Sequence, residues 1–314
     1  MTWRPDLLIT AVWMAVSVSS ALVDAPTKAP GGEGGEGGGT VAAPIVAHSP
    51  ESGDPGTMSG QEPSSPAGPA PRDAAGHPDL TGYWKPLREK GKPGGNLGKD
   101  LPGFQLPLTA AGKAAQEYNR TQTIDPEALC ILGGIPRHDA SGLPFEVLQT
   151  PKRLAFLYLY STHRYIPVDG RTREADLEPR FFGNPIGKWE GDTLVIDTIG
   201  FKDHKIWADE NGDPQSDVMH TIERWTRPDA AHIHVQLTVD DPKFYTHPFE
   251  FNRTWVLGAP GEGLTEYACA ENNIDAKHLG PGPGAIGADG NRGADLPTSL
   301  PDNPPPPEFY ENKK

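Results

Sequence analysis

The densest run of side chains able to do chemistry extends from Asp203 to Arg224 and contains Asp203, His204, Trp207, Asp209, Glu210, Asp213, Asp217, His220 and Glu223. Carboxylates and imidazoles together are the groups of general acid–base catalysis. Asp203, His204, His220 and Glu223 are therefore the candidate catalytic residues. His220 and Glu223 stand at odd spacing on a predicted strand, so their side chains leave opposite faces. On that pattern His220, Ile222 and Arg224 share one face, and Met219, Thr221, Glu223 and Trp225 share the other. Asp209-Glu210-Asn211-Gly212-Asp213 places oxygen donors around a glycine, as calcium loops do, but it lacks the spacing and terminal glutamate of an EF-hand. A solvated acidic turn is the plainer reading. His232 and His234 put two imidazoles on one strand face at the separation of β-strand zinc sites. Only His220 or His247 offers a third ligand, and a wet hairpin face explains the pair more simply. No nucleophile elbow, phosphate loop or dinucleotide fingerprint occurs, because Gly133-Gly134 does not follow a strand and open a helix.

A second group could bind rather than react. Phe156, Tyr158 and Tyr160 fall on one face of a predicted strand whose other face carries Leu157 and Leu159. Core packing explains such a strand, and an aromatic-lined cavity is its functional reading. Tyr158, Tyr160, Trp189, Trp207 and Arg224 are the candidate ligand-binding residues. The sequence specifies no cofactor.

The elements that must position these residues are mostly strands. Ile186 to Phe201 reads as a hairpin, with a strand into Trp189, a tight turn at Glu190-Gly191-Asp192 and a strand from Thr193 to Ile199. Further strands are predicted over 145–149, 154–160, 164–168, 219–226, 232–239, 249–256 and 264–268. In 232–239, Ile233, Val235, Leu237 and Val239 alternate with polar residues, the period-two pattern of a half-buried strand. Thr109 is a predicted N-cap for a helix from Ala110 to Asn119. The fold class is mainly β: an antiparallel meander of about nine strands, a short N-terminal helix and long irregular segments. Such a sheet removes its edges most simply by closing into a barrel. Gly82-x-Trp84 resembles the first strand of lipocalin-like barrels, which implies a closed barrel with the tryptophan at its floor.

The ends of the chain differ in composition. Residues 1–25 have the pattern of a secretory signal peptide, with Arg4 ahead of an apolar run from Leu7 to Val18 and small residues at Ser19-Ser20-Ala21. Residues 26–76 are Gly-, Pro- and Ser-rich and read as a disordered linker. Residues 77–276 hold a single β-rich domain, and 277–314 read as a disordered tail. The two cysteines, Cys130 and Cys269, lie on either side of the predicted strands, and in an exported chain they are expected to form one disulfide. Lys+Arg 28 against Asp+Glu 42 gives a net charge of −14, which disfavours nucleic acid as a partner. After signal cleavage no membrane span is expected. The expected location is the periplasm or the exterior, and the oligomeric state is open.

Several stretches together resemble a family of exported bacterial proteins of unknown function. They are Leu143 to Pro151, Val168-Asp169-Gly170-Arg171, Gly187 to Asp197, Thr221 to Trp225, and Asp240-Asp241-Pro242-Lys243-Phe244-Tyr245. The resemblance covers roughly residues 79 to 275 and implies an exported, β-rich, cysteine-bridged domain without implying an activity. Related sequences often read Pro-His-Ser-Glu where this chain has Pro214-Gln215-Ser216-Asp217, which argues against a metal role at that place. Three functions are consistent with these observations. The first is a barrel that binds a small apolar or aromatic ligand. The second is a periplasmic enzyme with Asp and His acid–base groups, with or without a metal. The third is an envelope interaction module.

Overall fold

A computed structural model of the chain describes residues 58–64, 66–202 and 206–269. Nine antiparallel strands form one sheet: β1 Gly82–Pro86, β2 Phe145–Thr150, β3 Arg153–Tyr158, β4 Thr162–Pro167, β5 Asn184–Glu190, β6 Thr193–Ile199, β7 His220–Thr226, β8 His232–Asp240 and β9 Phe249–Leu257. Among the described residues two α-helices lie outside it, α1 Ala110–Gln122 and the short α2 Arg137–Ser141. The spatial order is β4-β3-β2-β1-β9-β8-β7-β6-β5. The chain therefore makes two meander arms, β1–β4 and β5–β9, joined by the β1–β9 ladder in which Trp84 faces Leu257. The sheet curls into a nearly closed barrel with β4 beside β5. No backbone ladder joins those two strands; Ile166 and Val168 instead pack where a Cβ on Gly187 would sit, at 2.9 and 2.7 Å.

The expected hairpin forms in register, with Trp189 opposite Leu194 and Gly191 supplying the positive φ of its turn. Two expectations are corrected. Leu264–Ala268 is irregular, without the β-ladder a strand needs, and the ninth strand is Gly82–Pro86. The helix expected to end at Asn119 runs to Gln122. Its cap is as read, with Thr109 Oγ1 accepting the Gly112 amide at 3.0 Å. Gly112 lets α1 come close to the backbone, since a Cβ there would meet Phe244 O at 2.2 Å.

Strand directions define two barrel ends. At the floor, Trp84 is fully buried, donates to Leu80 O at 3.0 Å and lies under the Arg227 guanidinium at 4.9 Å. There Phe145, Phe156, Trp225 and Trp255 pack edge to face, with centroids 4.7 to 5.7 Å apart in the pairs Phe145–Trp255, Phe156–Trp225 and Phe145–Trp225. Each such pair is worth about 0.5–1.5 kcal/mol beyond the area it buries. At the mouth a second apolar cluster covers the strands. Leu237, Val239, Phe249 and Phe251 pack there with Ile135, Phe201, Phe244 and Ala115 of α1.

The N-terminal part of the described chain crosses the floor as a strap. Arg72 forks onto Asp192 with two 2.7 Å bonds, Gln149 holds Asp73, Pro78 and Leu80, and His77 stacks on Trp189 at 4.6 Å. This strap overlaps the end of the segment read from composition as linker. The signal segment of residues 1–25 and the tail from 277 lie outside the described residues. Cys130 and Cys269 are bonded, with Cα atoms 5.5 Å apart, so residue 269 is tied beside the Pro126–Leu129 turn ahead of α2. Among the described residues no helix is long and apolar enough to cross a membrane.

Candidate functional site

Reading the inward positions of each strand from floor to mouth shows where the interior changes character. Along β7 they are Trp225, Glu223, Thr221 and then Met219, and along β9 they are Trp255, Arg253, Phe251 and Phe249. On β6 Thr198 follows Leu194 and Ile196, and on β4 Arg164 follows Ile166. Polar side chains thus form one buried layer between the two apolar clusters. The helix α2 contributes to it from the mouth side: His138, Asp139 and Ser141 are all buried.

Arg164 organises the layer. Its guanidinium donates to Glu223 Oε2 at 3.0 Å, Glu223 Oε1 at 2.7 Å and Thr198 Oγ1 at 2.8 Å. Both partners of the ion pair are essentially inaccessible, at 1% and 0% side-chain exposure. Glu223 also accepts from Trp225 Nε1 at 3.0 Å. Burial opposes the charge on Arg164, but the Glu223 carboxylate outweighs it and holds the guanidinium above its ordinary range. This fork crosses the interior from β4 to β6 and β7. It ties the two arms together on the side where β4 and β5 lack a ladder.

Arg253 has no such match. It donates to Ala140 O at 2.7 Å, at the C-terminal end of α2. Its Nε is buried without a partner, and among the described residues it has no ion pair with a carboxylate. Burial pulls it down to about 10, so it still carries its charge at neutral pH. The rings of Phe251 and Trp255 lie 5.3 and 5.6 Å from the guanidinium carbon. Such cation–π contacts give roughly 0.5–2 kcal/mol. Desolvating the ion costs several kcal/mol, so the rings do not compensate it.

Burial shifts His138, Asp139 and Tyr158 toward their neutral forms. Burial, and then the charges of Arg253 and Arg164, push His138 down to about 3. Burial, reinforced by Glu223, raises the Asp139 carboxyl to about 8. The His138 ring lies 4.1 Å from that of Tyr158, whose hydroxyl is also raised by burial, and Tyr158 stacks on Phe182 at 4.8 Å. Six side chains here carry buried polar atoms with no hydrogen-bond partner in the protein: both nitrogens of His138, Asp139 Oδ2, Ser141 Oγ, Arg164 Nε, Thr221 Oγ1 and Arg253 Nε.

The residues singled out from sequence are dispersed. Of the catalytic candidates, Glu223 is in the layer, while Asp203 and His204 lie outside the described residues. His220 is on the outer face, its Nε2 3.2 Å from Asp197 Oδ2, as its odd spacing from Glu223 required. Of the ligand-binding candidates, only Tyr158 lines the layer. Tyr160 lies past β3 against Tyr267, and Trp189 packs at the floor. Trp207 is buried in the loop before β7, and Arg224 points outward to Glu190 at 3.1 Å. His232 binds Asp229 and Glu62, and His234 is exposed on the same outer face. Among the described residues no three His, Cys, Asp or Glu side chains converge as a metal would need.

The acidic turn is structural: Asp209 accepts from the amides of Leu97, Asn211 and Asp213. The stretch 240–245 also locks onto 214–217, where the chain departs from the pattern it resembles. Asp241 accepts from the amide and hydroxyl of Ser216 at 2.7 Å each, and Tyr245 donates to Pro214 O. No protein-family model, curated protein or solved structure matches the chain.

Sequence reasoning missed Arg164, Arg253, His138, Asp139, Ser141, Thr198 and Thr221. One signal was present: Phe249-x-Phe251-x-Arg253-x-Trp255 places a lone arginine in an otherwise aromatic inward register.

Two stability measurements check this layer. Arg164→Met should cost about 3–5 kcal/mol, because it strands a buried carboxylate, and the double variant Arg164→Met/Glu223→Leu should recover most of the loss. Equal losses in the single and double variants by chemical denaturation would contradict the pairing. For Asp139 the folded-state pKa lies above the unfolded one, so the folded chain holds the extra proton between about pH 4 and 8, and stability falls as pH rises through that window. Asp139→Asn should therefore gain stability relative to the native chain across this range, with the difference level above it. A constant difference from pH 4 to 9 would contradict the assignment.

Proposed function

We propose that this chain is an exported, small-molecule-binding barrel whose ligand occupies the interior polar layer. The observation that carries the reading is the cluster of orphaned polar atoms contributed by α2, β4, β7 and β9. Buried polar groups in folded proteins are nearly all paired, so a cluster of unpaired ones calls for a partner from outside the chain. The ligand expected from the sequence is apolar or aromatic. The floor aromatics instead pack on one another, so the part of the ligand that reaches the layer is polar.

Export is supported by the apolar segment near the N-terminus and by the Cys130–Cys269 bond, which is a feature of oxidising compartments. The lipocalin-like reading draws on Trp84, buried at the floor under Arg227. Proton transfer is the second reading, and one group favours it: Asp139, a buried carboxyl that stays protonated at pH 7.

Native mass spectrometry of the full chain purified from the periplasm tests the binding reading. The expected result is a mass excess that disappears on denaturation and is lost in Ser141→Ala/Thr221→Val, which removes two of the orphaned hydroxyls. Bare polypeptide alone, from more than one expression host, would overturn it.

A further inference from the structure

We propose that the interior layer binds a small organic carboxylate and that Arg253 is its anchor, an assignment that rests on the binding reading above. The layer holds two buried guanidinium groups, and only one is matched. Arg164 spends its fork on Glu223 and Thr198, whereas Arg253 meets one carbonyl and, among the described residues, no carboxylate; the Nε–H of each is unpartnered. Arg253 is also fixed in place. Its register on β9 puts it opposite Val235, and Nη1 lies 2.5 Å from where a Cβ on Gly142 would be. The guanidinium therefore packs against the end of α2, and Ser141, also orphaned, belongs to that same helix end.

The other orphaned groups set the ligand's chemistry. Ser141 and Thr221 hydroxyls and a neutral His138 imidazole can each donate, as can Arg253 Nε–H, and Asp139 is a protonated neighbour that can donate too. A set this rich in donors suits an acceptor-rich group. One uncompensated positive charge suits a monoanion, and the nearby Glu223 carboxylate disfavours a second negative charge. A planar carboxylate matches the guanidinium fork, whereas a dianionic phosphate would face Glu223 as well.

The test uses the full oxidised chain, refolded from denaturant to strip retained ligand, with calorimetric titration at pH 7. The probes are benzoate and acetate against their neutral isosteres benzamide and acetamide. Benzoate should bind at least about tenfold tighter than benzamide, the contrast expected when a charge-assisted hydrogen bond is lost. Arg253→Met should lose benzoate binding by a similar factor, and Arg224→Met, on the outer face, should leave it unchanged. If Arg253→Met fails to fold by circular dichroism, Arg253→Lys and the benzoate–benzamide contrast in the native chain decide the matter. Equal binding of benzoate and benzamide would overturn the carboxylate assignment while leaving the binding reading intact. Binding of none of the four probes would overturn it too, and the mass excess would then show separately whether another ligand is held. An intact contrast in Arg253→Met would place the anion elsewhere.

Discussion

A single buried ion pair decides how this barrel holds together. The sheet is continuous everywhere except between β4 and β5, so its backbone ladders join the two arms only at β1–β9. Arg164 on β4 reaches across the interior to Glu223 on β7 and Thr198 on β6. That contact does from inside what a ladder would do at the seam. A buried ion pair seldom stabilises a fold more than well-packed hydrocarbon of the same volume would, so its presence points to a demand other than stability. What it adds is a fixed geometry: once Arg164 is committed, Glu223 cannot serve any second cation.

From that commitment the rest of the layer follows. Thr198 sits opposite Thr221 across β6 and β7, so the hydroxyl of Thr221 is carried into the same plane. Arg253 arrives from β9 with no carboxylate left to receive it. The short helix α2 closes the layer from the mouth and is itself held from outside. Arg137 binds Asp125 at 2.7 Å and Glu127 at 2.8 Å, in the turn that leads into the Cys130–Cys269 bond. The side chains His138, Asp139 and Ser141 are therefore presented by a braced element. Polar groups braced and unpaired are what preorganised recognition requires.

Much of the architecture was legible in the sequence, because a strand's inside and outside follow from alternation. The hairpin at Glu190-Gly191-Asp192, the alternation of Ile233 to Val239, and the opposite faces of His220 and Glu223 all appear in the fold as read. The mistaken strand at Leu264–Ala268 has a physical reason. Its apolar and aromatic residues satisfy strand propensity, but the disulfide and the contact of Tyr267 with Ser161 and Tyr160 hold it away from any ladder. The site was less legible. The acidic run 203–224 is the densest polar stretch in the sequence, but its carboxylates Asp209 and Asp213 are taken up by local amides and by Gln116. The layer instead draws Arg164, Thr198 and Arg253 from three strands, Thr221 and Glu223 from a fourth and His138, Asp139 and Ser141 from α2, and which polar groups are left unpaired is a property of the assembled interior.

The most direct measurement is a crystal structure at high resolution of the full chain purified from cells, with attention to the density bounded by His138, Asp139, Thr221 and Arg253. The expected result is continuous non-protein density, larger than isolated waters, with an oxygen about 3 Å from Arg253 Nε. A layer in which Asp139 turns onto Arg253 and the remaining polar atoms pair with one another would contradict the assignment of this interior as a binding site.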